Sequence, residues 1–435
     1  MTTTASWQEQ EPGATWRIAT LANGLRLVVT PLPQSQAASL AVYVGVGSRQ
    51  EARQTLGLSH YLEHMLFKGT ASRPTALEIS AAIEGAGGTL NAFTSKELTC
   101  YWNRVPFDKL ELAMDILSDS VRSSLLDPEE IERERTVIQQ EIRRADDEPG
   151  QRASQLLSDA AYGDQPLGWD IAGDLQSVAA VERQHLVDHI DSWYRPQNLV
   201  FSVAGNVDPD AVLEIAERCW TDERPGQTPA ASDASDAMDA RPVRLETRPI
   251  EQCNLGLAMR TFPRDDPDRY ALSLLNQVLG SGMSSRLFVE VRERRGLAYS
   301  VGSGVGRFRD TGHLSIGAGV TKENLLETIE VSLAEVNKLT ADLVGAEELA
   351  KAREHATGSF RLSLETAQSH AHRTGSMLLS EGRIRTVDEH LAGLQAVTAD
   401  DVRRVAQRVV RPGNLAISVV GPFDDEPKLA ELIGA

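Results

Sequence analysis

Between Gly57 and Thr70 the chain reads GLSHYLEHMLFKGT, which sets His60, Glu63 and His64 in an HxxEH pattern. On a helix, His60 and His64 stand one turn apart and share a face, and two imidazoles so placed can hold one zinc ion. Glu63 sits beside that face, where its carboxylate can accept a proton from a metal-held water. A zinc ion that does chemistry usually has three protein ligands and one open position, so a third ligand must come from elsewhere. The stretch PEEIERERTVIQQEIRR at 128–144 offers Glu134 and Glu141, seven apart and on roughly the same helix face. One of the two can ligate while the other supports the site from outside. A second near-match, His185-Leu-Val-Asp-His189, has the shorter Asp in place of the base and no Glu-rich helix at a comparable distance after it. It reads as a solvent-facing helix surface.

These residues need elements to hold them. Leu58, Leu62, Leu66 and Phe67 supply the apolar side of a helix expected over about Leu56 to Phe67. Ahead of it, Trp16–Leu21 and Leu25–Thr30 flank Asn23-Gly24, a hairpin signature, and Ser39–Val46 reads as a strand. Pro74–Ala86 is helical in pattern, Gly87-Gly88 opens a strand over Thr89–Phe93, and a strand at Leu98–Arg104 leads into a helix at about 107–124. Asp127 as N-cap and Pro128 in the first position begin the acidic helix, which runs to about Arg144. In the second half, strands at 254–259, 297–306 and 312–320 alternate with helices such as 268–279. The Gly/Ser loop LGSGMSS at 279–285 follows a helix, whereas a phosphate cradle needs a strand before it, so nucleotide binding is not expected. Hairpin-linked strands alternating with long helices indicate an α+β fold, with helices packed on a largely antiparallel sheet.

An internal repeat divides the chain. RPQNLVFSVAGNVD at 195–208 and RPGNLAISVVGPFD at 411–424 agree at eight of fourteen positions, and an amphipathic helical stretch precedes each. Two homologous domains are therefore expected, an N-terminal one over 1–221 bearing the metal residues and a C-terminal one over 243–435 without them. DERPGQTPAASDASDAMDARP at 222–242 has almost no bulky apolar side chain and reads as a linker. A length of 435 residues agrees with more than one core. No apolar run approaches the roughly 18 residues of a membrane span. The polar, acidic start MTTTASWQEQEPG is unlike a secretory signal, so a cytoplasmic protein is expected. The net charge of −18 argues against a nucleic-acid partner, which needs a basic surface. Cys100, Cys219 and Cys253 form no metal-type pair, and their odd number argues against a disulfide framework. They are expected to be buried thiols.

HYLEHMLFKGT, followed by a Glu 77 positions after the second His, resembles the pitrilysin/insulinase family of inverted-motif zinc peptidases. The likeness is greatest to its mitochondrial-processing-peptidase-like subgroup. It extends over GSRQE (47–51), GGTLNAFTSKE (87–97), the ERERTVIQQEI helix, the YRPQN segment and the C-terminal repeat. The resemblance implies a zinc metalloendopeptidase with His60, His64 and Glu141 as ligands, Glu63 as catalytic base and Glu134 supporting the site. It also points to Arg292 and Tyr299 in VRERRGLAYSVGS (291–303), which match a pair that reaches the active site from a C-terminal domain. By residue type alone they would pass for a surface Arg and a packed strand Tyr. The second half has no HxxEH, so one zinc per chain is expected. Two chains facing each other around a chamber are implied, a homodimer or a pairing with a hetero-partner, with Arg292 and Tyr299 supplied by the partner chain. Unfolded peptides or presequence-like segments are the expected substrates, added as a strand along Thr89, Leu90, Asn91, Ala92 and Phe93. The alternative is a catalytically silent structural subunit; such relatives typically lack intact ligands, whereas every site residue is present here.

Overall fold

A computed structural model describes residues 5–220, 228–235 and 242–434. Most of the expected linker over 222–242 lies outside the described residues; within it, 228–235 carry no regular secondary structure. The chain forms two compact units, and neither is contiguous in sequence. One comprises Met1–Ile142, Asp170–Ser232 and Arg361–Asp388, the other Arg143–Trp169, Asp233–Phe360 and Glu389–Ala435. Relative to the expected ranges 1–221 and 243–435, the units exchange a segment in each direction. The reason is burial: each exchanged segment carries a helix that covers one face of the other half's sheet.

The first unit holds a six-stranded sheet built from β1 (Arg17–Thr20), β2 (Arg26–Pro31), β3 (Ala37–Val44), β4 (Thr89–Thr94), β5 (Thr99–Pro106) and β6 (Leu199–Gly205). The order is β1-β2-β6-β3-β5-β4, antiparallel except for the β2–β6 pair. β3 and β6 are buried nearly end to end, because both faces of the sheet are covered. Leu40, Val42 and Val44 point into the main core with the helices α1 (Leu58–Met65), α2 (Ala76–Gly85), α3 (Leu110–Ser123) and α4 (Pro128–Asp147). Ala41 and Tyr43, one residue out of phase, join Val28, Cys100 and Val200 beneath Leu378 of the helix Ala367–Glu381. That helix approaches closely: a Cβ on its Gly375 would lie 2.7 Å from the Tyr43 ring. Ser202 Oγ on β6 donates to Ala371 O at 2.8 Å.

The second unit repeats the pattern with β7 (Val243–Thr247), β8 (Gln252–Thr261), β9 (Ala298–Arg307), β10 (Gly312–Thr321) and β11 (Leu415–Gly421), in the order β7-β11-β8-β10-β9. Leu415 pairs with Met259 as Leu199 pairs with Val44, so the sequence repeat falls on equivalent central strands. Here the covering helix is α5 (Pro149–Tyr162), and Ser418 Oγ, the counterpart of Ser202, donates to Ala153 O at 2.8 Å. The α+β reading with a largely antiparallel sheet in each half holds. Among the described residues no helix is long and apolar enough to cross a membrane. Cys100 and Cys253 are buried, Cys219 is half-buried, and all three are free.

Candidate metal centre

The helix α1 is short and almost enclosed. Leu58, Ser59, Tyr61, Leu62 and Met65 are buried, leaving His60, Glu63 and His64 as its open face. Gly57 begins it with φ +88°, and a Cβ there would lie 2.4 Å from Ala172 O, so glycine is required for both conformation and space. α4 lies alongside. Asp127 Oδ1 accepts the Glu129 and Glu130 N–H groups at 2.9 and 3.2 Å, as an N-cap should. Its buried stripe is Ile131, Glu134, Ile138 and Ile142, a helical spacing with one carboxylate among aliphatic side chains.

That carboxylate has two partners. Glu134 Oε2 lies 2.9 Å from His64 Nδ1, and Oε1 pairs with the Lys68 ammonium. Burial would raise the Glu134 pKa, but the bonds from His64 and Lys68 outweigh it and hold it below the usual carboxylate range. With Nδ1 engaged, His64 turns Nε2 toward Glu141, 3.6 Å from Oε2, and His60 Nε2 lies 3.8 Å from the same oxygen. Ligand atoms of His60, His64 and Glu141 all fall within 4.8 Å of one another, the one such group of metal-ligating side chains among the described residues. Tetrahedral zinc with bonds of about 2.0–2.1 Å sets its donors roughly 3.3 Å apart, so the three residues fit the ion in chemistry and spacing. Burial, then the neighbouring His64, pushes His60 down to about 4, which keeps it neutral as a ligand must be. For His64, burial favours the neutral ring, but the bond to Glu134 and the charge of Glu141 outweigh it and raise its pKa.

Glu63 is placed beside the metal residues and held by Thr94, whose hydroxyl donates to Oε2 at 2.5 Å. Burial raises its pKa against the opposing effects of that bond and of His64, which makes it a stronger proton acceptor than an exposed carboxylate. Glu63, His64 and Glu134 line a cleft of about 420 Å³ together with Lys68, Glu84 and residues 88–92. Thr89, Leu90, Asn91, Ala92 and Phe93 lie on β4, the outermost strand of the sheet beside β5, so among the described residues one of its backbone edges pairs with no strand.

Arg292 and Tyr299 belong to the second unit and meet there. Arg292 lies in a π-helical turn, Phe288–Glu293, and its guanidinium sits 4.9 Å from the centre of the Tyr299 ring. Tyr299 is 79% exposed at the start of β9. It is therefore a presented side chain, not a packed strand tyrosine.

Three contributors are absent from the sequence reading. Lys68 stands four residues after His64, a helical spacing that could have found it. Thr94 follows Phe93 and shares a strand face with Leu90 and Ala92. Glu51 accepts the Gly57 and Ser59 N–H groups at 2.7 and 2.6 Å across two intervening turns, and no local spacing signals that. The His185–His189 segment also needs correction: His189 is buried, with Nε2 3.3 Å from Ser59 Oγ, because the helix Arg183–Trp193 packs on α1.

Known proteins resemble this chain in sequence and fold. Residues 26–175 match the model described as Insulinase (Peptidase family M16), and residues 180–355 match the one described as Peptidase M16 inactive domain. A Streptomyces coelicolor protein named as an uncharacterized zinc protease is 37% identical over 95% of this chain and 91% of its own. A similarly named Bacillus subtilis protein is 34% identical over 94% and 98%. A solved structure titled as a peptidase M16 inactive domain, from Pseudomonas fluorescens, superimposes with a TM-score of 0.87 at 22% identity, covering 94% of this chain and 99% of that one. With matches of this extent spanning both halves, the chain belongs to the insulinase family of peptidases, family M16.

Proposed function

We propose that the protein is a zinc-dependent endopeptidase that hydrolyses unfolded peptides or presequence-like segments, with one zinc per chain. The observation carrying this reading is the convergence of His60, His64 and Glu141 ligand atoms beside a base, Glu63, that lines the same cleft as an unpaired strand edge. When bound, zinc polarises the scissile carbonyl and lowers the pKa of water toward about 7. Glu63 takes the water proton and hands it to the leaving amine. Thr94 keeps its carboxylate aimed. An extended peptide adds to the open edge of β4 through its backbone, which favours unfolded chains over folded ones. Arg292 and Tyr299 donate to the developing oxyanion or hold the substrate backbone. They act on the opposite chain of a homodimer, in the manner of the processing-peptidase-like subgroup, and the enzyme works in the cytoplasm.

The test is cleavage of an unstructured peptide by the purified protein. Activity should vanish with a chelator and return with zinc; no cleavage by protein holding stoichiometric zinc would overturn the reading. The shared site has its own test. Glu63→Gln and Tyr299→Phe chains, each inactive alone, should regain activity when mixed and allowed to exchange, because one site of the mixed dimer then carries neither defect. No recovery despite confirmed exchange excludes sites built across chains.

A further inference from the structure

Two buried titratable groups lie behind the metal helix and have no part in the chemistry above: Glu51 and His189, 7% and 6% exposed. Both converge on Ser59, the residue before His60. Glu51 Oε1 accepts the Ser59 N–H at 2.6 Å and Oε2 the Gly57 N–H at 2.7 Å, while Ser59 Oγ lies 3.3 Å from His189 Nε2. The first N–H groups of a helix have no partner within it, and a carboxylate there is also favoured by the helix dipole. Burying that carboxylate is costly: burial pushes Glu51 up to about 7 against the lowering effect of its bonds from Ser59 and Gly57. An exposed Ser or Asp cap would have satisfied the same groups without that cost.

The two imidazoles of the site explain where the clamp acts. A metal-ligating His is normally oriented by a bond at its second ring nitrogen. His64 has one, from Nδ1 to Glu134. Among the described residues, the buried His60 Nδ1 has no hydrogen-bond partner. The ring of His60 therefore depends on the backbone that carries it. α1 has only eight residues, and a small rotation of its first turn would swing His60 away from His64 and Glu141.

We infer that Glu51, Ser59 and His189 form a backbone clamp that positions His60, replacing the side-chain bond that positions His64. Glu51 holds the N–H groups of Gly57, the N-cap, and of Ser59 in the first turn of α1, and His189 holds the Ser59 hydroxyl from the neighbouring helix. All three are positioning residues. The inference rests on the reading of this cluster as a zinc site.

The test measures zinc dissociation constants by chelator competition, and amide hydrogen exchange at Gly57 and Ser59 in the zinc-free protein. Glu51→Gln keeps one acceptor oxygen and loses the other. It should weaken zinc about 10–100-fold, the usual effect of removing an outer partner of a ligand, and speed exchange at both amides. Ser59→Ala removes the hydroxyl and with it the link to His189 and the side-chain bond to Glu51, leaves the two backbone N–H bonds to Glu51 in place, and should weaken zinc about threefold to tenfold. Because both act on the same residue, their effects in the double variant should fall short of additive. Zinc constants within twofold of the parent for both single variants would overturn the clamp. So would a lowered melting temperature of the zinc-free protein with an unchanged zinc constant, which is what a purely structural role produces. If Glu51→Gln does not fold, the Ser59→Ala zinc constant alone decides. A parent protein that holds no zinc would instead remove the reading of the metal site itself.

Discussion

Replacing each of the two carboxylates of α4 by its amide should produce opposite patterns of damage. Glu134 is almost fully buried, with His64 Nδ1 on one oxygen and Lys68 on the other. In Glu134→Gln a charge-assisted bond is lost and the Lys68 ammonium, 26% exposed, loses its carboxylate. Bonds to charged groups contribute about 1.5–3 kcal/mol, so the zinc-free protein should be destabilised by that amount. Zinc should weaken only about 10–100-fold, because the ligand atoms remain and only the aim of His64 suffers. Glu141 is 46% exposed, and Glu141→Gln should leave zinc-free stability within about 0.5 kcal/mol. It removes an anionic ligand, however. Binding energies of about 10–16 kcal/mol over four ligands give roughly 2.5–4 kcal/mol each, a loss of about 70-fold or more. Chelator competition for zinc, with thermal or denaturant unfolding of zinc-free protein, reads both quantities. The reversed order, with Glu134→Gln costing more zinc affinity and Glu141→Gln more stability, would refute the assignment and make Glu134 the ligand.

Glu63→Gln should retain zinc and lose about 10²–10⁴-fold in kcat; loss of zinc by the folded variant would show that Glu63 ligates. Thr94→Val removes the hydroxyl that aims Glu63 and should lower kcat about tenfold with zinc affinity unchanged, and an unchanged kcat would show that the bond is idle. Zinc binding should also weaken in acid. His60, held at about 4, is neutral at neutral pH, whereas the raised pKa of His64 leaves it protonated in the zinc-free protein until the pH exceeds that value. Zinc must displace that single proton, so the dissociation constant should rise about tenfold per pH unit below the His64 pKa and level off above it; a titration in which two protons are displaced per zinc would contradict the neutral His60.

The residues that gather at the candidate metal centre were legible because their signals are local, although the choice of Glu141 over Glu134 as ligand rested on the family resemblance. His60 and His64 share a face at a spacing of four, Asp127-Pro128 announces α4, and Glu134 and Glu141 stand two turns apart. The strand repeat likewise located β6 and β11. Apart from Lys68, what escaped depends on how the chain folds back, over a few residues for Glu51 and over more than a hundred for His189. Glu51 reaches the start of α1 only because the chain folds back, and the HLVDH face reads as polar until the helix bearing His189 is packed against α1. The domain ranges failed for the same reason. A linker is visible in composition, but nothing in the composition of 143–169 or 361–388 says which sheet each will cover.

The exchanged segments bear on how the protein is made. The sheet of the first unit is complete in sequence at Gly205, yet the helix that covers its second face begins at Ala367, about 160 residues later. At 5–20 residues per second that interval is about 8–30 s, during which Val28, Ala41, Tyr43 and Val200 have no cover on the growing chain. Translation thus leaves an apolar sheet face open long after its strands can pair, a surface for chaperones or for aggregation. A gene cut within the linker would yield two fragments that each lack a helix the other encodes. Soluble product is then expected only when both are produced together.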